Sequence, residues 1–274
     1  MAASSTLQGK ILLVGAGKMG GALLEGWLAH GLSPADAAVI DPSPPSEMAT
    51  FLKEQKIERA PKPGSFLPDA AVIAVKPQMA DEVMPKIAGY LRQKTVVISI
   101  MAGRTLASIE KHFPPSSLVV RGMPNTPAAI GHGITVAVAN RHVCTSTRLF
   151  ASELLGAVGK VEWIEDEKLM DAVTAVSGSG PAYVFLLAEA LAKAGVEAGL
   201  PEALATKLAR ETVSGSGELL RRSRLDAGKL RENVTSPGGT TAAALEVLMG
   251  ADGLEPLLKR AVAAAAKRSR DLAG

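Results

Sequence analysis

The apolar positions of this chain keep two rhythms. Up to about residue 165, short apolar runs at 11–14, 37–40, 70–75, 95–100, 118–121, 134–139 and 161–164 alternate with segments whose apolar residues recur at helical spacing. Continuous short runs separated by helices predict a buried parallel sheet, because a strand covered on both faces has no polar side to alternate with. The segments between them predict helices at 19–30, 48–56, 81–91, 106–112 and 147–155. In the first, Met19, Leu23, Leu24, Trp27 and Leu28 share one face, and Gly31 stops it. After Glu165 no strand-like run follows. Helices are predicted at 167–176, 181–194, 199–222, 230–234, 242–249 and 254–272, with a break at Ser177-Gly178-Ser179-Gly180. Gly215 and Gly217 fall inside one of these helices. Each costs about 1 kcal/mol against Ala, which implies a close helix approach or a break. The expected division is an α/β domain over 1–165 and an all-helical domain over 166–274.

The first strand runs straight into Gly15-Ala16-Gly17-Lys18-Met19-Gly20, and a helix follows at once. Strand, glycine turn and helix form the context in which G-x-G-x-x-G means dinucleotide binding. Gly15 lets the chain turn, Gly17 lets a pyrophosphate approach the backbone, and Gly20 lets the helix pack on the sheet. Free N–H groups and the helix dipole then face the phosphates. A Rossmann fold is the expectation for this half. Asp41 ends the second strand, 21 residues beyond Gly20. An acidic residue there accepts hydrogen bonds from the adenosine ribose and favours NAD. Ser43, in the Pro42-Ser43-Pro44-Pro45 run, suits a 2′-phosphate if Asp41 turns away. Cofactor choice stays open on these residues. Lys76-Pro77 and Met101-Ala102-Gly103 end the third and fourth apolar runs, on the side where the ligand crevice of such sheets lies.

Composition narrows the functional classes. Hydrophobic residues make up 47% and aromatics 3%, so the core is built from Ala, Val, Leu and Ile. A net charge of +3 without a clustered basic patch gives no argument for nucleic acid. The single cysteine, Cys144, excludes an internal disulfide and reads as a bystander thiol. The four histidines share no spacing, so no metal site is assigned. The start, MAASSTLQG, lacks the basic and apolar regions of a leader, and no apolar run approaches the ~20 residues that span a bilayer. A cytoplasmic protein is expected. The helical domain is small and rich in Ala and Gly, and a symmetric dimer would bury its apolar faces.

A second loop carries chemistry. Ser236-Pro237-Gly238-Gly239-Thr240-Thr241 leads directly into a helix. Free N–H groups at such a start bind a carboxylate or phosphate, and the plainer alternative is that Thr240 or Thr241 caps the helix. Glu167 reads equally as an acidic residue in a first helical turn. GAGKMG, AVKP at 74–77, MAG at 101–103, MPNTP at 123–127, LMDAVTAVSGSGPAY at 169–183 and LRENVTSPGGTT at 230–241 together resemble the pyrroline-5-carboxylate reductases, in order and over nearly the whole chain. The resemblance implies a Rossmann domain followed by a helical dimerisation domain, with an active site at the dimer interface. It also implies reduction of (S)-1-pyrroline-5-carboxylate to L-proline by NADPH or NADH, with NADPH favoured, as the last step of proline synthesis.

By the same resemblance, Gly15 to Gly20 hold the pyrophosphate. Val75, Lys76, Pro77, Ala102 and Gly103 line the nicotinamide side, and Asn233 contacts the cofactor from the helical domain. Ser236, Thr240 and Thr241 contact the substrate, with Glu167 near the same pocket. The chemistry of hydride transfer to a C=N bond further suggests that the loop amides from Gly238 and Gly239 to Thr241 hold the substrate carboxylate and that Thr241 donates its hydroxyl to the imine nitrogen. The chain departs from the family at Arg224, where an acidic residue is common. Three readings compete: another imine or 3-hydroxy acid reductase, a non-catalytic NADP-binding regulator, and a protein-interaction module.

Overall fold

This computed structural model describes residues 7–273. Residues 1–6 and 274 lie outside the description, and with them most of the segment read above as lacking a leader. Eight strands form one sheet: β1 Ile11–Val14, β2 Ala37–Ile40, β3 Glu58–Arg59, β4 Ala70–Ile73, β5 Val96–Ser99, β6 Leu118–Met123, β7 Gly133–Ala139 and β8 Gly159–Trp163. Their order across the sheet is β3-β2-β1-β4-β5-β6-β7-β8. β1, β4 and β5 are buried at every position, as their unbroken apolar runs require. β3 escaped the sequence because it is two exposed charged residues.

One pairing departs from the expected parallel sheet. β6 and β7 run antiparallel, with Arg121 opposite Val138, while every other pair is parallel. Only residues 124–132 join these two strands, including the 3₁₀ turn Thr126–Ile130. That link is too short for the crossover of about a dozen residues or more that a parallel return needs.

The helices of the first half are α1 Lys18–Ala29, α2 Ser46–Glu54, α3 Ala80–Ile87, α4 Leu106–Glu110 and α5 Thr145–Gly156. Leu23, Leu24 and Trp27 of α1 pack into the core with Leu13, Val39 and Val72. Trp27 is fully buried, and its indole N–H donates to Leu154 O at 2.8 Å. Next come a 3₁₀ turn at Glu167–Leu169 and α6 Met170–Val173, and then α7 Gly180–Glu197, α8 Glu202–Arg222, α9 Ala227–Asn233, α10 Thr240–Leu248 and α11 Leu254–Ala273.

Packing divides the described residues into two units, 7–178 with 266–273, and 179–265. The division falls later than the expected boundary near Glu165. Met170 is buried with Val136 and Val138 of β7, which ties α6 to the sheet. Ser269 Oγ donates to Asp171 Oδ1 at 2.7 Å, so the last turns of α11 also belong to the first unit. The interruption expected at 177–180 takes the form of a π-helical turn, Thr174–Gly178, and a non-helical Ser179 that caps α7. A Cβ on Gly178 would sit 2.6 Å from Met123 Cε, the flexible end of a side chain that would have to turn aside.

In the second unit, α7 and α8 pack through small residues. A Cβ on Gly195 would lie 3.2 Å from Ala205 Cβ, and Ala205 and Ala209 are buried. Gly215 and Gly217 do not break their helix. α8 runs through both unbroken, and each would present its Cβ to open space. Phe185, Leu186, Leu187 and Val247 are exposed. The helical stretch Glu167–Glu197 has the length and mean hydropathy of a bilayer-crossing segment, although polar residues interrupt its apolar runs.

Candidate dinucleotide and substrate sites

The strand order reverses between β1 and β4, since β2 lies on one side of β1 and β4 on the other. At such a switch point the loops leaving the carboxyl ends of the strands part and leave a crevice. The glycine turn sits there. Gly15 has φ +90°, and a Cβ on it would meet the Ala74 carbonyl at 2.9 Å. Gly20 is tighter, for its Cβ would fall 2.1 Å from Gly15 O. Gly17 has nothing within 4 Å of its missing Cβ. It caps α1 with no side-chain hydrogen bond, which leaves the first-turn N–H groups, beginning at Lys18 and Met19, open to an anion. These residues therefore fit a dinucleotide pyrophosphate. A cleft of about 620 Å³ also opens beside Gly17 and Lys18, between α1 and α2. Glu25, Glu47 and Glu54 line it, which sets it against a phosphate.

Asp41 lies at the end of β2 with both carboxylate oxygens engaged. Oδ2 accepts from Ala16 N–H at 2.7 Å and Oδ1 from Ser43 N–H at 2.9 Å. Ser43 itself is exposed.

The two loops expected on the nicotinamide side are joined by a residue that the sequence did not single out. Arg104 Nη2 and Nε donate to Pro77 O at 2.7 and 3.1 Å. The same guanidinium reaches Asp81 Oδ2 at 3.0 Å. Lys111 and His112 approach Asp81 Oδ1, each at 3.1 Å. Hydrogen bonds from Lys111 and then Arg104 hold the Asp81 carboxyl down to about 2. Arg104 therefore fastens Val75-Lys76-Pro77 to Ala102-Gly103-Arg104. Gly103 turns at φ +72°, and Lys76 is exposed. A lone arginine after MAG gives no periodicity to find it by. Its mark in the sequence is only its adjacency to a strand-end motif.

Glu167 has a structural partner. Its Oε1 accepts from Arg121 Nη1 at 2.7 Å and from Leu106 N–H at 2.8 Å. Arg121 is buried in β6, and a charge inside an otherwise apolar strand run was the available signal.

In the second unit, α9 ends at Asn233, which is exposed. Gly238 turns at φ +68°, and Gly239 N–H closes the turn on Ser236 O at 3.0 Å. Gly239 is the cap of α10, again without a side-chain hydrogen bond. Thr240 and Thr241 are thus the first two helical residues and cap nothing. The start of α10 keeps its first-turn amides free of a side-chain cap. The structure thus gathers the predicted residues into two groups. Gly15 to Gly20, Asp41, Ser43, Val75 to Pro77, Ala102 and Gly103 lie at strand ends of the first unit, and Asn233 and Ser236 to Thr241 lie on the second. No cluster of three or more His, Cys, Asp or Glu suited to a metal occurs among the described residues. Cys144 caps α5 and is exposed. Hydrogen bonds with the Ser146 and Thr147 hydroxyls bring its thiol down to about 6.

Comparison with known proteins assigns both halves. A family described as pyrroline-5-carboxylate reductase dimerisation matches residues 167–272. One described as NADP oxidoreductase, coenzyme F420-dependent, matches residues 10–103. A pyrroline-5-carboxylate reductase of Pseudomonas aeruginosa is 38% identical over 96% of this chain and 97% of its own. The enzyme of Pisum sativum is 37% identical over 94% of each. A solved pyrroline-5-carboxylate reductase from Coxiella burnetii superimposes with a TM-score of 0.90 at 33% identity, covering 98% of this chain and 100% of that one. A pyrroline carboxylate reductase from Plasmodium falciparum, solved with NADP bound, gives 0.82 at 30% identity, covering 98% and 100%. With relatives this similar along nearly all of its length, the chain belongs to the pyrroline-5-carboxylate reductase family.

Proposed function

We infer that this chain reduces 1-pyrroline-5-carboxylate to proline with NAD(P)H. The observation that carries the reading is the pair of open helix starts, α1 at Gly17 and α10 at Gly239, on a chain similar to these reductases end to end. NAD(P)H supplies the hydride for the C=N carbon, and the protein has to bind, orient and keep water out.

The α1 amides and Gly17 receive the pyrophosphate. Val75 to Pro77 with Ala102 and Gly103 flank the nicotinamide, and Asn233 adds a contact from the helical unit. The amides of Gly239, Thr240 and Thr241, with the Ser236 hydroxyl, hold the substrate carboxylate, and Gly238 provides the left-handed turn that aims them. Thr241 donates its hydroxyl to the imine nitrogen and so orients the ring. Glu167 acts on this region indirectly, because its Oε1 already holds Arg121 and Leu106. Pro77 O, fixed by Arg104, keeps the cofactor loop in place.

The enzyme works as a homodimer or an assembly of dimers in the cytoplasm. The dimerisation match and the exposed Phe185, Leu186 and Leu187 on α7 support the assembly, and light scattering on a sizing column tests it. For the reaction, initial rates of NADPH and NADH oxidation are measured with and without pyrroline-5-carboxylate. Substrate-dependent oxidation is expected with at least one cofactor. A folded dimer that binds both nucleotides and oxidises neither would overturn the reading. Thr241→Val that kept full turnover and KM would remove Thr241 from its role.

A further inference from the structure

Asp41 stands where a ribose ligand is expected, yet each of its carboxylate oxygens already holds a backbone amide. Ala16 is fully buried. A buried N–H needs an acceptor, and the acceptor here is Asp41 Oδ2 at 2.7 Å. The other oxygen takes Ser43 N–H at 2.9 Å. The neighbouring amide, Gly15 N–H, donates to Ile40 O at 2.9 Å. Consecutive residues at the end of β2 therefore hold the two consecutive amides that open the glycine turn.

We propose that Asp41 is a positioning residue that staples the glycine turn to the end of β2, and that it does not set the choice between NADH and NADPH. The proposal rests on the reading of this turn as the dinucleotide site. A carboxylate that swung out to a ribose diol would strand the buried Ala16 N–H. It would also give up two charge-assisted hydrogen bonds from amides that are already in place. Discrimination then falls to groups beyond Asp41, such as the exposed Ser43.

The test is equilibrium titration of the purified full chain with NADPH and with NADH, followed by reduced-nicotinamide fluorescence, in wild type, Asp41→Ala and Asp41→Asn. Circular dichroism checks that each variant folds. Asp41→Ala is expected to weaken both nucleotides by about tenfold, since one hydrogen bond to a charged group is worth that much. Asp41→Asn keeps a side-chain carbonyl for one amide and should recover much of both affinities. In each variant the NADPH to NADH affinity ratio stays within about threefold of wild type, the range of a weak, solvent-screened charge effect. If Asp41→Ala fails to fold, the ratio in Asp41→Asn carries the test. A ratio displaced towards NADPH by about tenfold or more, the signature of a lost ribose ligand, would overturn the proposal. So would an Asp41→Ala protein that binds both nucleotides like wild type. A wild-type protein that bound neither would instead sink the dinucleotide reading itself, and this proposal with it.

Discussion

Arg121 and Glu167 lie 46 positions apart in the chain, and their side chains meet at 2.7 Å. The guanidinium is buried and the carboxylate is about one-quarter exposed. Glu167 Oε1 also accepts from Leu106 N–H, so a single oxygen joins β6, the start of α4 and the turn before α6. Removing one partner of such a pair leaves an uncompensated buried charge. Glu167→Ala is expected to lose about 3 kcal/mol in urea unfolding. Glu167→Gln keeps an acceptor for both donors and should lose clearly less. If Glu167→Ala instead unfolded like wild type and only raised KM for pyrroline-5-carboxylate, its role would be substrate contact and not the joint.

The glycines of the turn separate binding from folding. Gly17→Ala adds a methyl to open space at an extended cap position, so stability should change by about 1 kcal/mol or less. The methyl occupies the approach to the backbone, and Kd for NADPH should rise about tenfold or more. Gly20→Ala drives its methyl into Gly15 O and should cost about 3 kcal/mol of stability. Paired nucleotide titrations and thermal melts of the two variants check the contrast.

Arg104 should behave as a cofactor-loop residue without touching the substrate. Arg104→Ala removes both guanidinium donors from Pro77 O and leaves it the Ala80 N–H alone. KM for the dinucleotide is expected to rise about tenfold, with KM for pyrroline-5-carboxylate little changed. Its partner Asp81 has a depressed carboxyl, so the sign of the pH effect is set. The stabilisation is complete above the ordinary aspartate value of about 3.9 and is lost as pH falls through about 2. The stability difference between wild type and Asp81→Asn should therefore be level above about pH 4 and shrink below it. Denaturant melts across that acid range measure it.

Cys144 should alkylate as a thiolate at neutral pH. With its thiol down to about 6, the iodoacetamide rate should reach half its maximum near that pH. A Ser146→Ala, Thr147→Val protein loses both hydroxyl partners, and its midpoint should move up towards the ordinary thiol value of about 8.5.

What the sequence disclosed follows from the range of the forces involved. The glycine turn, the strands around it and the helical second half are local patterns, and each is written in a few consecutive residues. The start of α10 was half legible. The loop was evident, but the sequence could not say whether Thr240 or Thr241 capped it, and the backbone assigns the cap to Gly239. Arg104 with Pro77, and Arg121 with Glu167, were hidden because each is a contact between residues far apart in the chain. The antiparallel β6–β7 pair was hidden for another reason, since direction depends on the length of a link that apolar periodicity ignores.

The return of residues 266–273 to the first unit gives the chain the topology of an insertion. The helical unit leaves the nucleotide unit after Gly178 and rejoins it at Ala266, so both its ends are moored to one body. A fragment ending near residue 165 would lose Met170 from the sheet and the Asp171–Ser269 bond together. Domain borrowing, whether by evolution or by an engineer, therefore has to cut this protein twice and splice it once.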